Sequence, residues 1–196
     1  SKIKSATVGG LKEKNVEDIF GGGTKSKTDL KITLKNKEKI NLSIKKSSGG
    51  QAYLIGVDRF INGFEIQFKK KIPQNIKRSF KLFFAGADDI SRIIKNTELN
   101  NIEDDKKEEI KKYEKRKNRI TWITFKEYDL QLSNTFIEWF KENISNIFLF
   151  CFERGLAKNK GEWADFVWYK NQLNENKFDF IFNISKLSEK IDDHSY

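Results

Sequence analysis

The chain has 196 residues, which suffice for one domain (residues 1–196) whose core needs neither disulfides nor a structural metal. Its formal net charge of +10 favours a polyanionic partner, although abundant lysine also accompanies AT-biased coding. A single cysteine, Cys151, excludes an internal disulfide framework, and a single histidine, His194, excludes chemistry that relies on a histidine in the body of the chain. Because no apolar stretch reaches about 20 residues and no signal peptide is visible, we expect a cytoplasmic protein that does not enter a membrane.

The first predicted element is a short helix over residues 11–20. An approximate apolar stripe at helical spacing is formed by Leu11, Val16, Ile19 and Phe20. Three glycines, Gly21 to Gly23, then end the helix. They are not followed by the Lys-Ser or Lys-Thr of a phosphate-binding loop, so we predict a flexible hinge into the next strand.

Two runs with apolar residues at every second position follow, at residues 29–34 and 40–45. This period of two is typical of half-buried strands, and the polar loop between the runs predicts an antiparallel hairpin. The apolar face, which we expect to turn towards the core, carries Leu30, Ile32, Leu34, Ile40, Leu42 and Ile44. Because side chains alternate across a strand, the opposite face carries Asp29, Lys31, Ser43 and Lys45.

The polar face of this hairpin suits metal-dependent phosphodiester hydrolysis. If Leu34 pairs with Ile40, the register places Asp29 opposite Lys45 at the open end of the hairpin. Mg²⁺ prefers one or two carboxylates and takes water and phosphate oxygens as its other ligands. A neighbouring lysine could orient the attacking water or stabilise the charge that develops at phosphorus. The same spacing also fits a cross-strand ion pair on a solvated sheet face.

A family resemblance is carried by two segments, residues 25–29 (KSKTD) and 42–48 (LSIKKSS). They resemble the PD-(D/E)xK nuclease superfamily, and in particular type II restriction endonucleases of the MspI-like kind, with a Lys-Thr-Asp segment and then an Asn-Ile-Lys strand ahead of a Ser-Ser pair. The resemblance implies a catalytic core over roughly residues 11–60. Thr28 replaces the usual proline and Ser43 the usual second acidic residue. Because a hydroxyl binds Mg²⁺ less well than a carboxylate, this departure favours one metal ion over two.

The resemblance also implies roles for individual residues. Asp29 would bind Mg²⁺, Lys45 would orient water or stabilise charge, and Ser43 would make a weak or water-mediated contact with the metal. Glu13, on the helix before the hairpin, would reach towards the metal beyond its direct ligands, with Glu17 as the reserve candidate. An ordinary solvated carboxylate explains Glu13 equally well.

The residues after Lys45 suit contacts with nucleic acid. An ammonium group and hydroxyls are typical partners of phosphate oxygens, and we predict such contacts for Lys46, Ser47 and Ser48. Gln51 could read a base edge, although a solvated glutamine is the commoner outcome. A helix is predicted over residues 52–61.

Residues 97–119 are the most polar part of the chain and predict a helix with few apolar side chains. Its basic end carries Arg116, Lys117 and Arg119, which we expect to form an arm that clasps DNA. A solvated helix face is the alternative explanation of such a charge run.

Helices and strands alternate irregularly through the rest of the chain. Bulky residues at three- and four-residue spacing predict a long helix over residues 133–152, ended by Gly155. Strands are predicted over residues 120–125 and 178–182, with a short helix after Ser185. We therefore expect an α/β (α+β) fold with a central mixed β-sheet, an antiparallel catalytic hairpin and flanking helices, which the resemblance also implies.

These features predict a Mg²⁺-dependent, sequence-specific endonuclease of the type II restriction class. The resemblance implies that it cuts double-stranded DNA and leaves 5′-phosphate and 3′-hydroxyl ends. Palindromic cutting would need a homodimer or two successive nicks by a monomer, and a cognate DNA methyltransferase is the expected functional partner. Two alternatives stay open: a nuclease specific for DNA junctions or mismatches, and a non-catalytic basic DNA-binding protein.

Overall fold

The computed structural model describes residues 2–8, 15–47, 55–171 and 179–193. The chain divides into two compact units. The first comprises Ser1–Ile55, Gly63–Lys70 and Asn143–Tyr196, and the second comprises Gly56–Asn62 and Lys71–Glu142. The single nuclease domain over residues 1–196 stays a prediction.

A mixed β-sheet lies in the first unit. The strands, in chain order, are β1 (Ile3–Val8), β2 (Val16–Glu17), β3 (Gly23–Thr24), β4 (Leu30–Leu34), β5 (Lys39–Ser47), β6 (Phe166–Asn171) and β7 (Asp179–Asn183). Five of them form one sheet in the order β1-β4-β5-β6-β7, in which β5 and β6 are parallel and the other neighbours are antiparallel. Strands β2 and β3 form a small antiparallel sheet of their own. The predicted mixed sheet is therefore confirmed.

Helices make up most of the remaining described chain. They are α1 (Val57–Phe68), α2 (Gln74–Phe84), α3 (Ile90–Asn96), α4 (Asp104–Lys117), α5 (Trp122–Tyr128), α6 (Leu130–Glu142), α7 (Ile144–Leu149) and α8 (Ile184–Asp193). A π-helical turn, Phe150–Arg154, follows α7, and a 3-10 turn spans Lys160–Glu162. Across the described ranges, no helix combines the length and the apolar character that a membrane crossing requires.

The helix predicted over residues 11–20 is wrong where the structure describes this segment. Val16 and Glu17 are in β2, and residues 19 and 20 form a turn. The Asp18 carboxylate accepts the backbone N–H groups of Phe20 and Gly22, each at 2.8 Å. Because an aspartate side chain that binds nearby N–H groups competes with helical hydrogen bonds, it stabilises a turn here.

The strand predicted over residues 120–125 is also wrong, because most of this segment belongs to α5. Thr121 precedes the helix in an extended conformation, and its side-chain oxygen accepts the N–H of Thr124. This N-terminal cap stabilises a helix in a stretch whose residues favour strands by composition.

The long helix predicted over residues 133–152 is divided. Asn143, at φ −117° and ψ 9°, separates α6 from α7, and asparagine is typical of such positions because its side chain competes with helical hydrogen bonds. Gly155, at φ +55°, ends the helical segment as predicted. Helix α1 begins and ends later than the helix predicted over residues 52–61, while β7 and α8 confirm the last two predicted elements.

The polar face of the hairpin also turns towards packed side chains of the first unit. Ser43 pairs with Val167, so the two side chains share a face of the sheet. Val167 packs with Ala164 and Ile184 beneath aromatic and aliphatic side chains of the helical segment 148–152. Ser43 is accordingly 0% exposed, whereas the residues of the apolar face are half-buried apart from Leu42. The expectation that the apolar face forms the core is therefore confirmed for Leu42 only, which is 6% exposed, because the helical segment packs on the face that carries Ser43.

A substitution at Gly63 tests how closely α1 packs against Phe150 and Leu156. A Cβ atom at Gly63 would lie 2.4 Å from Leu156 Cδ2 and 2.9 Å from Phe150 Cζ. We expect Gly63→Ala to lower the free energy of unfolding in urea by about 1–3 kcal/mol, although alanine is the better helix former. Gly56→Ala, where the added Cβ meets nothing within 4 Å, is the matched control and should change it by less than about 0.5 kcal/mol. A more stable Gly63→Ala protein would contradict the close packing.

Candidate active site

The predicted hairpin is formed by β4 and β5, but its register differs from the prediction by two residues. The N–H of Leu34 donates to the carbonyl of Glu38 at 2.8 Å, which closes a tighter loop than the apolar pattern indicated. Ile40 consequently pairs with Ile32. The predicted pairing of Leu34 with Ile40 is wrong, and so is the placement of Asp29 opposite Lys45.

Asp29 lies beside Ser43 instead. A shift of two residues leaves every side chain on its predicted face, since side chains alternate with a period of two. Asp29 Oδ2 accepts the backbone N–H of Ile44 at 2.6 Å and the Ser43 hydroxyl at 3.3 Å. Both bonds use the same oxygen, and no donor of the described residues is bonded to Oδ1. That second oxygen can therefore accept a cation or a water.

The Ile44 N–H can bind a side chain because β5 extends beyond its neighbour. The last residue of β5 that pairs with β4 is Leu42, opposite Leu30, whereas pairing with β6 continues to Ser47. Asp29 stands just before the start of β4, so its carboxylate takes the N–H that a longer β4 would have bound. The site therefore forms where one edge of β5 loses its strand partner.

Lys45 and Ser43 share the face of β5 that carries Asp29. Lys45 is half-buried and pairs with Tyr169 of β6. Ser43 donates its hydroxyl to Asp29 and has no exposed surface, so its geometry is that of a group that orients the carboxylate. The roles of Ser43 as a metal contact and of Asp29 and Lys45 in catalysis stay predictions.

Backbone contacts hold the segment that leads into Asp29. Thr28, at the position where the family pattern has proline, is fully buried and donates its hydroxyl to the carbonyl of Trp163 at 2.9 Å. The carbonyl of Glu162 accepts the Lys27 N–H at 3.1 Å and the Ser26 hydroxyl at 3.2 Å. Residues 26–28 are thus hydrogen-bonded to residues 162 and 163, and these bonds fix the position of Asp29, the next residue.

Lys27, two positions before Asp29, is a further lysine beside the site, and the sequence pattern predicts no role for it. Its ammonium donates to the carbonyl of Cys151 at 2.8 Å. Burial, and to a lesser extent the charge of Lys45, lower the pKa of Lys27 from 10.5 to about 8, against the smaller opposing effects of Cys151 and Asp29. Hydrophobic periodicity carries no signal for this burial, because the covering residues lie more than a hundred positions away.

The structure does not bring Lys46 or Glu17 into contact with Asp29. Lys46 is exposed and, as the neighbour of Lys45 in β5, lies on the opposite face of the sheet. Glu17 forms an ion pair with Lys158. The backbone of Ser47 ends β5, and nothing is described of its side chain. Three further predicted residues, Glu13, Ser48 and Gln51, lie outside the described residues.

The predicted DNA-binding arm is the end of α4, in the second unit. Arg116 and Lys117 are exposed, whereas Arg119 is half-buried and donates to the hydroxyl of Tyr113. The guanidinium groups of Arg119 and Arg116 lie 5.6 and 5.9 Å from the centre of the Tyr113 ring. Buried Glu114 accepts the N–H of Thr121 at 2.6 Å and so ties this basic end to the start of α5.

The described residues fit Mg²⁺ better than a metal that needs several protein ligands. They contain no group of three or more histidine, cysteine, aspartate or glutamate residues that could hold a metal ion. Asp29 offers one carboxylate oxygen without a donor, and the remaining positions would be open to water and phosphate oxygens. Mg²⁺ accepts such a ligand set because it retains several waters when bound by one or two carboxylates.

No protein-family model matches the chain, and no curated protein matches it in sequence. A solved structure with a similar fold is that of the restriction endonuclease MspI in complex with its cognate DNA, with a TM-score of 0.50 and 13% sequence identity. The match covers 95% of this chain and 56% of the MspI chain, so this chain spans little more than half of that chain's length. At this identity the likeness shows the fold alone. The predicted α+β fold, a mixed sheet flanked by helices as in restriction endonucleases, is confirmed.

The desolvated ammonium of Lys27 predicts a pH dependence of stability. The pKa of Lys27 falls from 10.5 to about 8 on folding, so between these pH values the unfolded chain binds more protons than the folded chain. The contribution of Lys27 to the free energy of unfolding therefore rises with pH in this window. Between pH 7 and pH 9 the wild type should gain about 1 kcal/mol relative to Lys27→Met in urea denaturation. Burial raises the pKa of Cys151 to about 11, which opposes the gain above pH 9. Parallel pH profiles of the two proteins would contradict the burial of the charge.

Proposed function

We propose that this protein is a Mg²⁺-dependent DNA endonuclease of the restriction type with its active site at the hairpin. The observation that carries the proposal is the Asp29 carboxylate, which Ile44 and Ser43 orient through one oxygen on the face that carries Lys45. The site lies on the central strand of a mixed sheet, which accords with the restriction-endonuclease-like fold.

Each residue of the site has a distinct task in this proposal. Asp29 would hold Mg²⁺ through Oδ1, and Ser43 and Ile44 would keep the carboxylate turned towards the cation. When bound, Mg²⁺ supplies a water of lowered pKa and neutralises charge at phosphorus. Lys45 would orient the attacking water or stabilise the negative charge that develops on the phosphate. Glu13 remains a proposed further group at this site.

DNA is the proposed substrate for two reasons. The formal net charge of +10 favours a polyanion, and the MspI structure of similar fold contains that enzyme's cognate DNA. In this proposal Lys46, Ser47, Ser48 and Gln51 contact DNA near the hairpin, and the basic end of α4 contacts phosphates. Sequence-specific cutting of double-stranded DNA to 5′-phosphate and 3′-hydroxyl ends, a homodimer and a cognate methyltransferase belong to the same proposal.

The proposal predicts metal-dependent cleavage that requires the hairpin. With Mg²⁺, the wild type should cut phage DNA into discrete fragments, and EDTA should abolish cutting. Lys45→Ala and Asp29→Asn should each lower the cleavage rate by at least about 100-fold, because each loses a charge that acts on the transition state. Lys39→Ala removes an exposed lysine at the other end of β5 and should cut at the wild-type rate.

Three other outcomes would require a different function or a different active site. Cleavage confined to DNA junctions or mismatches would replace the restriction assignment by a structure-specific nuclease. Intact DNA under all conditions, with binding that weakens steeply as salt rises, would indicate a basic DNA-binding protein. Cleavage that survives Lys45→Ala and Asp29→Asn would place the active site outside the hairpin.

A further inference from the structure

Arg154 carries a guanidinium group that two aromatic rings hold in place. It is the last residue of the π-helical turn Phe150–Arg154, a rare kind of turn that is often found at functional sites. The central carbon of the guanidinium lies 4.7 Å from the centre of the Phe68 ring and 4.8 Å from the centre of the Trp163 ring. Such cation–π contacts restrict the orientation of the guanidinium before any partner binds.

The hydrogen bonds of Arg154 use only one of its three nitrogens. Nε donates to Oε2 of Glu153 at 3.2 Å, and no acceptor of the described residues is bonded to Nη1 or Nη2. The two Nη atoms carry four N–H donors in a planar fork, which matches two oxygens of a carboxylate or phosphate. The Arg154 side chain is 23% exposed, so part of it is open to solvent. The fork is therefore available to a partner.

The surroundings of Arg154 favour an anionic partner. The ammonium of Lys160 lies 5.9 Å from the centre of the same Trp163 ring. Lys160 is exposed, and no carboxylate of the described residues forms an ion pair with it. Because Glu153 offsets the charge of Arg154, Lys160 leaves this group of side chains with a net positive charge.

Arg154 is also linked to the segment that leads into the hairpin site. The carbonyl of Trp163 accepts the hydroxyl of Thr28 at 2.9 Å, and Asp29 is the next residue. Gly155, which follows Arg154, lies against Lys27, since a Cβ atom at Gly155 would overlap the Lys27 side chain. A ligand of Arg154 would therefore bind beside the segment that positions Asp29.

We propose that Arg154 binds a backbone phosphate of DNA next to the hairpin site, through the fork of its two Nη atoms. The inference rests on the part of the proposed function that makes DNA the substrate. Arg154 holds the DNA strand and touches no reacting atom, so it is a binding residue and not a catalytic one. Because the rings already restrict the guanidinium, less conformational entropy is lost when the phosphate binds.

Removal of this contact should change how DNA binding depends on salt. Arg154→Met replaces the charge by an unbranched apolar side chain, and the dissociation constant for a labelled duplex in EDTA should rise on the order of tenfold. The slope of log K against log salt should become shallower by about 0.9, the value for one phosphate contact on B-DNA. Fluorescence anisotropy across a salt series measures both quantities. A smaller folded fraction would reduce the amount of DNA bound and leave the slope unchanged.

Two further variants separate the fork from the charge. Arg154→Lys keeps the charge and should keep the wild-type slope, while loss of the planar fork should raise the dissociation constant by about threefold. Arg92→Met removes an arginine that is likewise paired with one carboxylate, Asp89 at 3.1 Å. This matched control should leave the dissociation constant and the slope unchanged.

The outcomes distinguish the phosphate contact from the nuclease assignment. A wild-type slope in Arg154→Met, or an equal change in Arg92→Met, would overturn the inference, while Mg²⁺-dependent cutting by the wild type would preserve the proposed function. The expected change of slope without cutting under any condition would preserve the phosphate contact and overturn the nuclease. A wild type that neither binds nor cuts DNA would overturn both.

Discussion

The site depends on the hydrogen bond between the Ile44 N–H and the Asp29 carboxylate, which is 2.6 Å long. Strand β5 runs past the start of β4 and would leave this N–H without a strand partner on that side. A buried N–H without an acceptor costs about 1–3 kcal/mol, so the carboxylate that binds it is held firmly in one orientation. The other carboxylate oxygen accepts no hydrogen bond from the described residues and so remains available to a cation.

Two lysines, Lys27 and Lys45, accompany this carboxylate. Lys27, two positions before Asp29, donates to the Cys151 carbonyl, and Lys45 lies half-buried on β5. The buried hydroxyls of Thr28 and Ser43 donate to a carbonyl and to the carboxylate, so the polar groups beneath the site have partners.

Periodicity predicted the parts of the site that depend on alternation along a strand. Asp29, Ser43 and Lys45 share a face because an even shift of register does not change faces. The register itself was mispredicted, since the tight bond between Leu34 and Glu38 leaves no trace in the spacing of apolar residues. The same reasoning assigned the core to the apolar face alone, although both Leu42 and Ser43, on opposite faces of β5, are buried.

Side chains that bind the backbone account for the mispredicted elements. Asp18 turns a helical pattern into a tight turn, and Thr121 caps a helix where composition favours a strand. Lys27 could not be recognised from its position beside Asp29, because its burial depends on a π-helical turn and a glycine more than 120 residues away. Such contacts join distant segments, and a local pattern carries no information about them.

The most direct test of the account is the anomalous scattering of Mn²⁺ in crystals of the protein. We expect a peak within bonding distance of Asp29 Oδ1, about 2.2 Å, while Oδ2 keeps its bonds to Ile44 and Ser43. The peak should disappear in Asp29→Asn crystals that diffract equally well. A well-occupied Mn²⁺ bound elsewhere, with no peak at Asp29, would contradict the central claim that this hairpin holds the metal.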